Sequence, residues 1–276
     1  MNIDAVFIPC AGKGTRMGDM GKRLPKPLWP LFDSSLIELQ IKFFKKLGFN
    51  KIIINTHHLA EQFNTLDNVE ILFENELLGS GGSLHNLKKN YPNIQKILIS
   101  NPDVFFNLSL ENWKKFINEE NKEDFDNILL SLPCKKGEAY NELIVDDKNQ
   151  FLTVGQSPNE DYCTYSGVGI INLKSFKLKE GESSFFKSVI NPSFNRTKVL
   201  SIGERSQYWD FGTLDQYKDS HLAILDGKGE SFRKLLEELQ IFDPKQDYMA
   251  ENCMNLGQLK LKLDSQKNIL NITTKE

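Results

Sequence analysis

Residues 5–18 read Ala5-Val6-Phe7-Ile8-Pro9-Cys10-Ala11-Gly12-Lys13-Gly14-Thr15-Arg16-Met17-Gly18, and Pro25-Lys26-Pro27 follows shortly after. The apolar run at 5–8 has the length and composition of a short buried strand. The glycines and cations therefore stand where that strand leaves its sheet. Such a position suits phosphate: glycines without Cβ let backbone N–H groups approach an anion, while Lys13, Arg16 and Lys26 add positive charge and forked donors. The stretch reads as a triphosphate cradle, set against the plainer reading of a basic surface turn.

Two other glycine loops do not fit. The dinucleotide fingerprint needs glycine where Met17 stands, and no Gly-x-x-x-x-Gly-Lys-Ser/Thr occurs because Gly21-Lys22 is followed by Arg23. The chain has 276 residues, 39% of them hydrophobic, and 19 Phe, enough for one sizeable well-filled domain. A formal net charge of -3 gives no global attraction to nucleic acid or to an anionic membrane, so the basic residues near the N-terminus are a local device for a small anion. Cys10, Cys134, Cys163 and Cys253 form no Cys-x-x-Cys pair, which argues against a zinc ribbon or dithiol site and for buried thiols in a reducing compartment. No signal-peptide pattern and no run of about 18 apolar residues is present, so a cytoplasmic location is expected.

Outward from the loop, strand-like and helix-like runs alternate, the pattern of a Rossmann-like mixed, mainly parallel α/β sheet flanked by helices. Ser35-Leu36-Ile37-Glu38 resembles a capping box, and Leu36, Ile37, Ile41, Phe43, Phe44 and Leu47 make an apolar stripe that ends at Gly48. Strands are expected at 51–55, 69–73 and 95–100, with short helices at 59–63 and 83–89. Further strands are expected at 128–132, 143–146, 151–154, 165–171 and 198–202, the pair around Asp147-Lys148-Asn149 forming a hairpin. A helix opens at Thr213. Residues 1–228 read as one domain and 229–276 as an appended tail, helix-like at 232–239 and weakly strand-like at 259–272. The tail is expected to cover an edge strand or to join identical subunits.

Two acids draw notice. Asp103 ends the apolar strand Ile97-Leu98-Ile99-Ser100-Asn101-Pro102-Asp103, which puts it at the rim where open α/β sheets bind ligands. Asp210 lies within Tyr208-Trp209-Asp210-Phe211-Gly212-Thr213, an apolar setting that is costly for a charge without a cation or metal. Mg²⁺ takes one or two carboxylates plus phosphate oxygens, so the pair suits it if the fold brings the two together. The readings of a turn-forming Asp103, and of Gly81 and Gly82 as ordinary helix-start glycines, stay open. His57-His58, His85 and Trp29 are read as structural.

Five ordered motifs resemble the sugar-1-phosphate nucleotidyltransferases, over roughly residues 3–225. They are the glycine loop with Pro25-Lys26-Pro27, Glu74 with Leu77-Leu78-Gly79-Ser80-Gly81-Gly82-Ser83-Leu84, Asn101-Pro102-Asp103, Tyr165-Ser166-Gly167-Val168-Gly169, and Trp209-Asp210-Phe211-Gly212-Thr213. The chain looks most like the short bacterial members that make UDP-N-acetylmuramate or GDP-mannose. The resemblance implies the nucleotide-diphospho-sugar transferase fold and transfer of a nucleoside monophosphate from an NTP to a sugar 1-phosphate, with Mg²⁺ as cofactor. By it, Ala11, Gly12, Gly14, Thr15 and Arg16 hold the triphosphate. Lys26 bridges NTP and sugar phosphate, and Arg16, Lys26 and Asp103 form the catalytic set. Glu74, Gly79, Ser80, Gly81 and Gly82 lie along the nucleotide. Asn141, Gln156, Ser166 and Gly167 serve the sugar side, and Asp103 and Asp210 bind the metal.

The chain also departs from that family. Pro102 replaces a glycine, and Gln156 in Val154-Gly155-Gln156-Ser157-Pro158 stands where relatives carry the lysine of Glu-Lys-Pro. UTP with N-acetylmuramate 1-phosphate is the pair the short members suggest. Guanylyl, thymidylyl or cytidylyl transfer to another phosphorylated alcohol is the alternative, followed by a non-catalytic nucleotide-sugar binder. A glycosyltransferase ranks last, because Asn101 leaves no Asp-x-Asp.

Overall fold

The chain is described by a computed structural model over residues 2–14, 21–119, 125–250, 253–256, 259–264 and 269–274. Its first strand, β1 (Ala5–Pro9), is the apolar run that precedes the glycine loop, and it is buried on both faces. Val6 and Ile8 enter one apolar cluster while Ala5 and Phe7 enter another, so the strand alternation feeds two cores on opposite sides of one sheet.

After a two-residue hairpin, β2 (Pro30–Leu31) and β3 (Ser34–Ser35), come β4 (Ile52–Thr56), β5 (Glu70–Phe73) and β6 (Lys96–Ser100). All three are parallel to β1, in the order β6-β1-β4-β5. The sheet continues past β6 through β11 (Asp161–Asn172), β8 (Asn127–Lys135) and β12 (Thr197–Leu200), with β11 the antiparallel member among these seven strands. This is the mixed, mainly parallel α/β sheet read from the alternation of runs.

Local signals explain the helices. In α1 (Leu36–Lys46), Ser35 Oγ caps by accepting from the Glu38 N–H at 3.4 Å and itself donates to Glu38 Oε2 at 2.8 Å. Lys45 and Lys46 sit in the last turn, where the helix dipole favours cations. The apolar stripe of α1 is buried against the sheet. The expected helix at 59–63 is a 3₁₀ turn, Ala60–Thr65, and the one expected at 83–89 starts earlier, as α2 (Gly79–Asn90). Helix α3 (Leu110–Asn118) has a strongly one-sided pattern that buries Trp113, Phe116 and Ile117. Helix α4 (Leu214–Leu225) opens at Thr213, whose hydroxyl accepts from the Gln216 N–H at 3.3 Å.

Besides β2–β3, two more short strand pairs lie outside the main sheet among the described residues. The hairpin around 147–149 forms as expected from β9 (Glu142–Val145) and β10 (Phe151–Gly155). The second pair, β7 (Val104–Phe106) with β13 (Tyr208–Asp210), joins segments about a hundred residues apart.

Helix α5 (Glu230–Glu238) and the residues after it are built into the first core. Phe232 stacks on Phe105 at 5.2 Å and on Trp209 at 4.7 Å, while Phe242 and Tyr248 pack against Phe32 at 4.9 and 5.1 Å. The packed core thus continues through Tyr248. A small antiparallel sheet of β14 (Met249–Ala250), β15 (Cys253–Leu256), β16 (Leu259–Asp264) and β17 (Ile269–Thr274) follows. Among the described residues no helix is long and apolar enough to cross a membrane.

Candidate active site

Because β1, β4, β5 and β6 run parallel, the segments leaving their C-terminal ends meet at one rim. A cavity of about 410 Å³ opens there. Ala11, Gly12, Lys13 and Gly14 line one wall, Glu74, Leu77, Gly79 and Ser80 a second, and Lys26, Asp103 and Gly212 the third. Gly14 has φ +61°, which favours glycine, whereas a Cβ on Gly12 would meet nothing within 4 Å. Thr15 and Arg16 lie outside the described residues.

Lys26 follows Pro25 in a 3₁₀ turn and is 8% exposed. Its Nζ donates to Asp103 Oδ2 at 2.6 Å and to the Gly212 carbonyl at 2.6 Å. Asp103 sits in the turn between β6 and β7, and the buried Gln40 of α1 fixes that turn. Gln40 Nε2 donates to the carbonyls of Asn101 at 3.1 Å and Val104 at 2.7 Å, while its Oε1 accepts from Ser100 Oγ at 2.9 Å. Asp210 ends β13, paired with Val104, and the next N–H, of Phe211, donates to the Asp103 carbonyl at 2.9 Å. The β7–β13 pairing therefore brings the two distant acids to one corner, linked through Lys26 and Gly212.

The Asp210 carboxylate is firmly held. Oδ1 accepts from the Gly212 N–H at 2.6 Å, and Oδ2 accepts from Gln216 Nε2 at 2.9 Å and from the Tyr140 hydroxyl. Among the described residues, no group of three His, Cys, Asp or Glu side chains is placed to hold a metal ion. Two hard carboxylates beside an open cavity match the way Mg²⁺ binds, through one or two protein oxygens with phosphates supplying the rest.

Behind the glycine loop lies a buried polar chain. Asn55 Oδ1 accepts from the Cys10 N–H at 2.7 Å, and its Nδ2 donates to Glu74 Oε1 and Ser83 Oγ, both at 2.9 Å. Burial raises the Glu74 carboxyl above its ordinary range, opposed by the Asn55 and Ser83 bonds. Burial, and then the charge of Asp103, push the Cys10 thiol well above its ordinary range, so it is held protonated and is not poised as a nucleophile.

Not every expected residue meets this cavity. Gly81 and Gly82 are buried, and their N–H groups donate to the Ser183 carbonyl at 2.8 and 3.3 Å. A Cβ on Gly81 would lie 2.5 Å from the Ser184 carbonyl oxygen. These glycines admit the 181–188 segment against α2, and neither lines the glycine-loop cavity. Ser166 is fully buried with its hydroxyl donating to the Leu130 carbonyl at 2.8 Å, inside a β11 bulge that interrupts the pairing with β8. Gly167, at φ +86°, packs on Asn101, whose N–H donates to the Gly167 carbonyl at 2.9 Å. Asn141 and Gln156 are exposed and line a separate cavity of about 350 Å³ with Tyr140 and Tyr162.

Two of the histidines read as structural bond backbone groups. His57 Nδ1 bonds the Glu74 carbonyl at 2.9 Å, and the buried His85 Nδ1 accepts from the Lys179 N–H at 3.2 Å. Sequence reasoning passed over Gln40, Asn55, Tyr140 and Gln216. The first carried a signal, being a polar residue on the apolar face of α1; the others showed none without their partners.

The profile of the MobA-like NTP transferase domain matches residues 6–128. Over 229 residues the chain is 31% identical to the D-glycero-alpha-D-manno-heptose 1-phosphate guanylyltransferase of Campylobacter jejuni, covering 76% of this chain and 96% of that protein. It is 25% identical over 170 residues to a UTP–glucose-1-phosphate uridylyltransferase of Synechocystis, covering 55% of this chain and 44% of that protein. Among solved structures, HddC of Yersinia pseudotuberculosis shares the fold with a TM-score of 0.63 at 21% identity, over 79% of this chain and 98% of that one. HddC has also been solved in complex with GMP-PN.

Proposed function

This chain belongs to the sugar-1-phosphate nucleotidyltransferases, and from that premise we propose that it transfers GMP from GTP to a heptose or hexose 1-phosphate, with Mg²⁺ as cofactor. The observation that carries the reading is the position of Lys26, whose ammonium joins Asp103 and the Gly212 carbonyl at the mouth of the glycine-loop cavity. Guanosine is favoured because the relative matched along 96% of its length is a heptose-phosphate guanylyltransferase.

In this reading an oxygen of the acceptor's phosphate attacks the α-phosphorus, the bond from that phosphorus to the β-phosphate oxygen breaks, and pyrophosphate leaves. The acceptor phosphate has a second pKa of about 6, so the nucleophile is already ionised and no general base is required. What remains is alignment and charge neutralisation. The backbone of Ala11, Gly12 and Gly14 receives the triphosphate, together with Arg16. Lys26 stands between donor and acceptor phosphates and stabilises the charge that grows on the leaving group. Asp103 and Asp210 would hold Mg²⁺, which offsets the triphosphate charge when bound. Asn141 and Gln156, on the second cavity, face the acceptor side, with Gln156 offering a hydrogen bond where relatives place a cation.

UTP with N-acetylmuramate 1-phosphate is the second reading, supported by the uridylyltransferase match and by the short bacterial members. Pyrophosphate release, assayed with four NTPs against a panel of sugar 1-phosphates, separates the two. The proposal expects turnover with GTP and a heptose or hexose 1-phosphate; release with UTP alone would reverse the base assignment, and release with none would reject both.

A further inference from the structure

We propose that Tyr140 is a positioning residue that aims Asp210 at the divalent ion. The inference rests on the reading of Asp210 as a metal ligand. The Tyr140 hydroxyl reaches across 70 residues of sequence to Oδ2 of that carboxylate. Gln216 Nε2 donates to the same oxygen at 2.9 Å and to the Tyr140 hydroxyl at 3.2 Å, closing a three-membered network. Oδ1 is held independently by the Gly212 N–H at 2.6 Å.

The count of lone pairs gives this network its meaning. An ionised carboxylate offers roughly four acceptor sites, and three of them are taken here. One remains, and its direction is set by the other three. Gly212 is part of the device, since a Cβ there would lie 2.7 Å from Asp210 Oδ1 and 3.2 Å from Gln216 Oε1. Hydrogen-bond partners of a metal ligand tune the ion's affinity in this way, and their removal typically costs about 10–100-fold.

The hydroxyl is separable from the rest of Tyr140. Its backbone is anchored on its own account, because the Tyr162 hydroxyl donates to the carbonyls of Tyr140 at 3.0 Å and Glu138 at 3.2 Å. Arg205 holds the same loop through Glu138 at 3.2 Å. Removing one oxygen from Tyr140 therefore leaves the loop in place and takes away one donor to Asp210.

The test uses Mn²⁺ alone as the probe, with binding to the full chain read by water-proton relaxation enhancement. Tyr140→Phe is expected to weaken Mn²⁺ binding about tenfold or more while the melting temperature stays within about 2 °C of the parent, because a single hydrogen bond in a chain this size shifts it little. Gln216→Leu, which removes the other donor to Oδ2, is expected to act in the same direction and carries the test if Tyr140→Phe does not fold. Parent-like Mn²⁺ binding in a folded Tyr140→Phe, beside lost binding in Asp210→Asn, would overturn this inference and leave the metal assignment standing. Parent-like binding in Asp210→Asn would overturn both.

Discussion

Lys26 Nζ stands 2.6 Å from Asp103 Oδ2, although 77 residues separate the two in sequence. The pair is largely withdrawn from water, with side-chain exposures of 10% and 20%. A charge-assisted bond in that setting is strong, and losing either partner leaves the other's charge poorly compensated. The same ammonium also holds the carbonyl of Gly212, so a single side chain ties the rim of the central sheet to the segment that carries Asp210.

Asp103→Asn retains a hydrogen-bond acceptor for Lys26 but removes the negative charge. Pyrophosphate release is expected to fall below detection with far-ultraviolet circular dichroism close to the parent's, while the thermal midpoint drops because the buried Lys26 ammonium loses its counter-charge. Near-parent turnover would end the assignment of Asp103 to the metal.

Lys26→Met keeps the length of the side chain and removes its charge. The expected loss in kcat is about 10²–10³, the scale found when one donor to a developing oxyanion is removed. The corresponding Arg variant is not expected to restore the rate, because a planar guanidinium cannot take the place of an ammonium that serves two oxygens at 2.6 Å. A kcat within threefold of the parent in Lys26→Met would contradict this role.

Gly81→Ala should act through packing. Its new methyl would sit 2.5 Å from the Ser184 carbonyl and 2.4 Å from the Ser188 hydroxyl, so backbone must move. Overpacking of this kind costs about 1–3 kcal/mol, which for a domain of this size lowers the thermal midpoint by roughly 2–4 °C per kcal/mol. An unchanged midpoint would mean that the 181–188 segment yields freely.

The pH dependence of stability should show the buried His221. Burial depresses its pKa to about 4 from 6.5, against the opposing bond to the Tyr217 carbonyl. The unfolded chain therefore binds this proton first as pH falls, and the stability present above pH 6.5 is lost progressively down to about 4. The contribution is on the order of 3 kcal/mol. Denaturant unfolding of His221→Phe between pH 7 and 4 is expected to show a shallower loss than the parent; parallel curves would remove His221 from the account.

Much of the fold could be read without coordinates, for a local reason. The period of apolar residues, the Ser35 cap and the glycine after a buried strand each act within a few residues, so β1, α1 and the hairpin at 142–155 lie where patterning puts them. The pairing of β7 with β13 was not legible, because three-residue strands carry no periodicity and are specified by their partner. Helix α2 begins before the expected position for a similar reason: its glycines are tolerated only because the 181–188 segment packs on them. Gln156 and Asn141, which the resemblance assigned to the sugar side, line a cavity of their own, which no spacing along the chain could reveal.

Sequence by itself determined the glycine loop after the first strand, the sheet that presents it and the family to which the chain belongs, since each is written in contiguous residues with short-range physics. Tertiary structure decided which charges meet. Lys26, Asp103 and Asp210 converge because a buried amide fixes one turn, a pair of three-residue strands joins two distant segments, and a tyrosine from a third reaches the second carboxylate. Electrostatic interactions fall off over a few ångströms in space and are blind to separation along the chain, so that convergence exists only in the folded molecule.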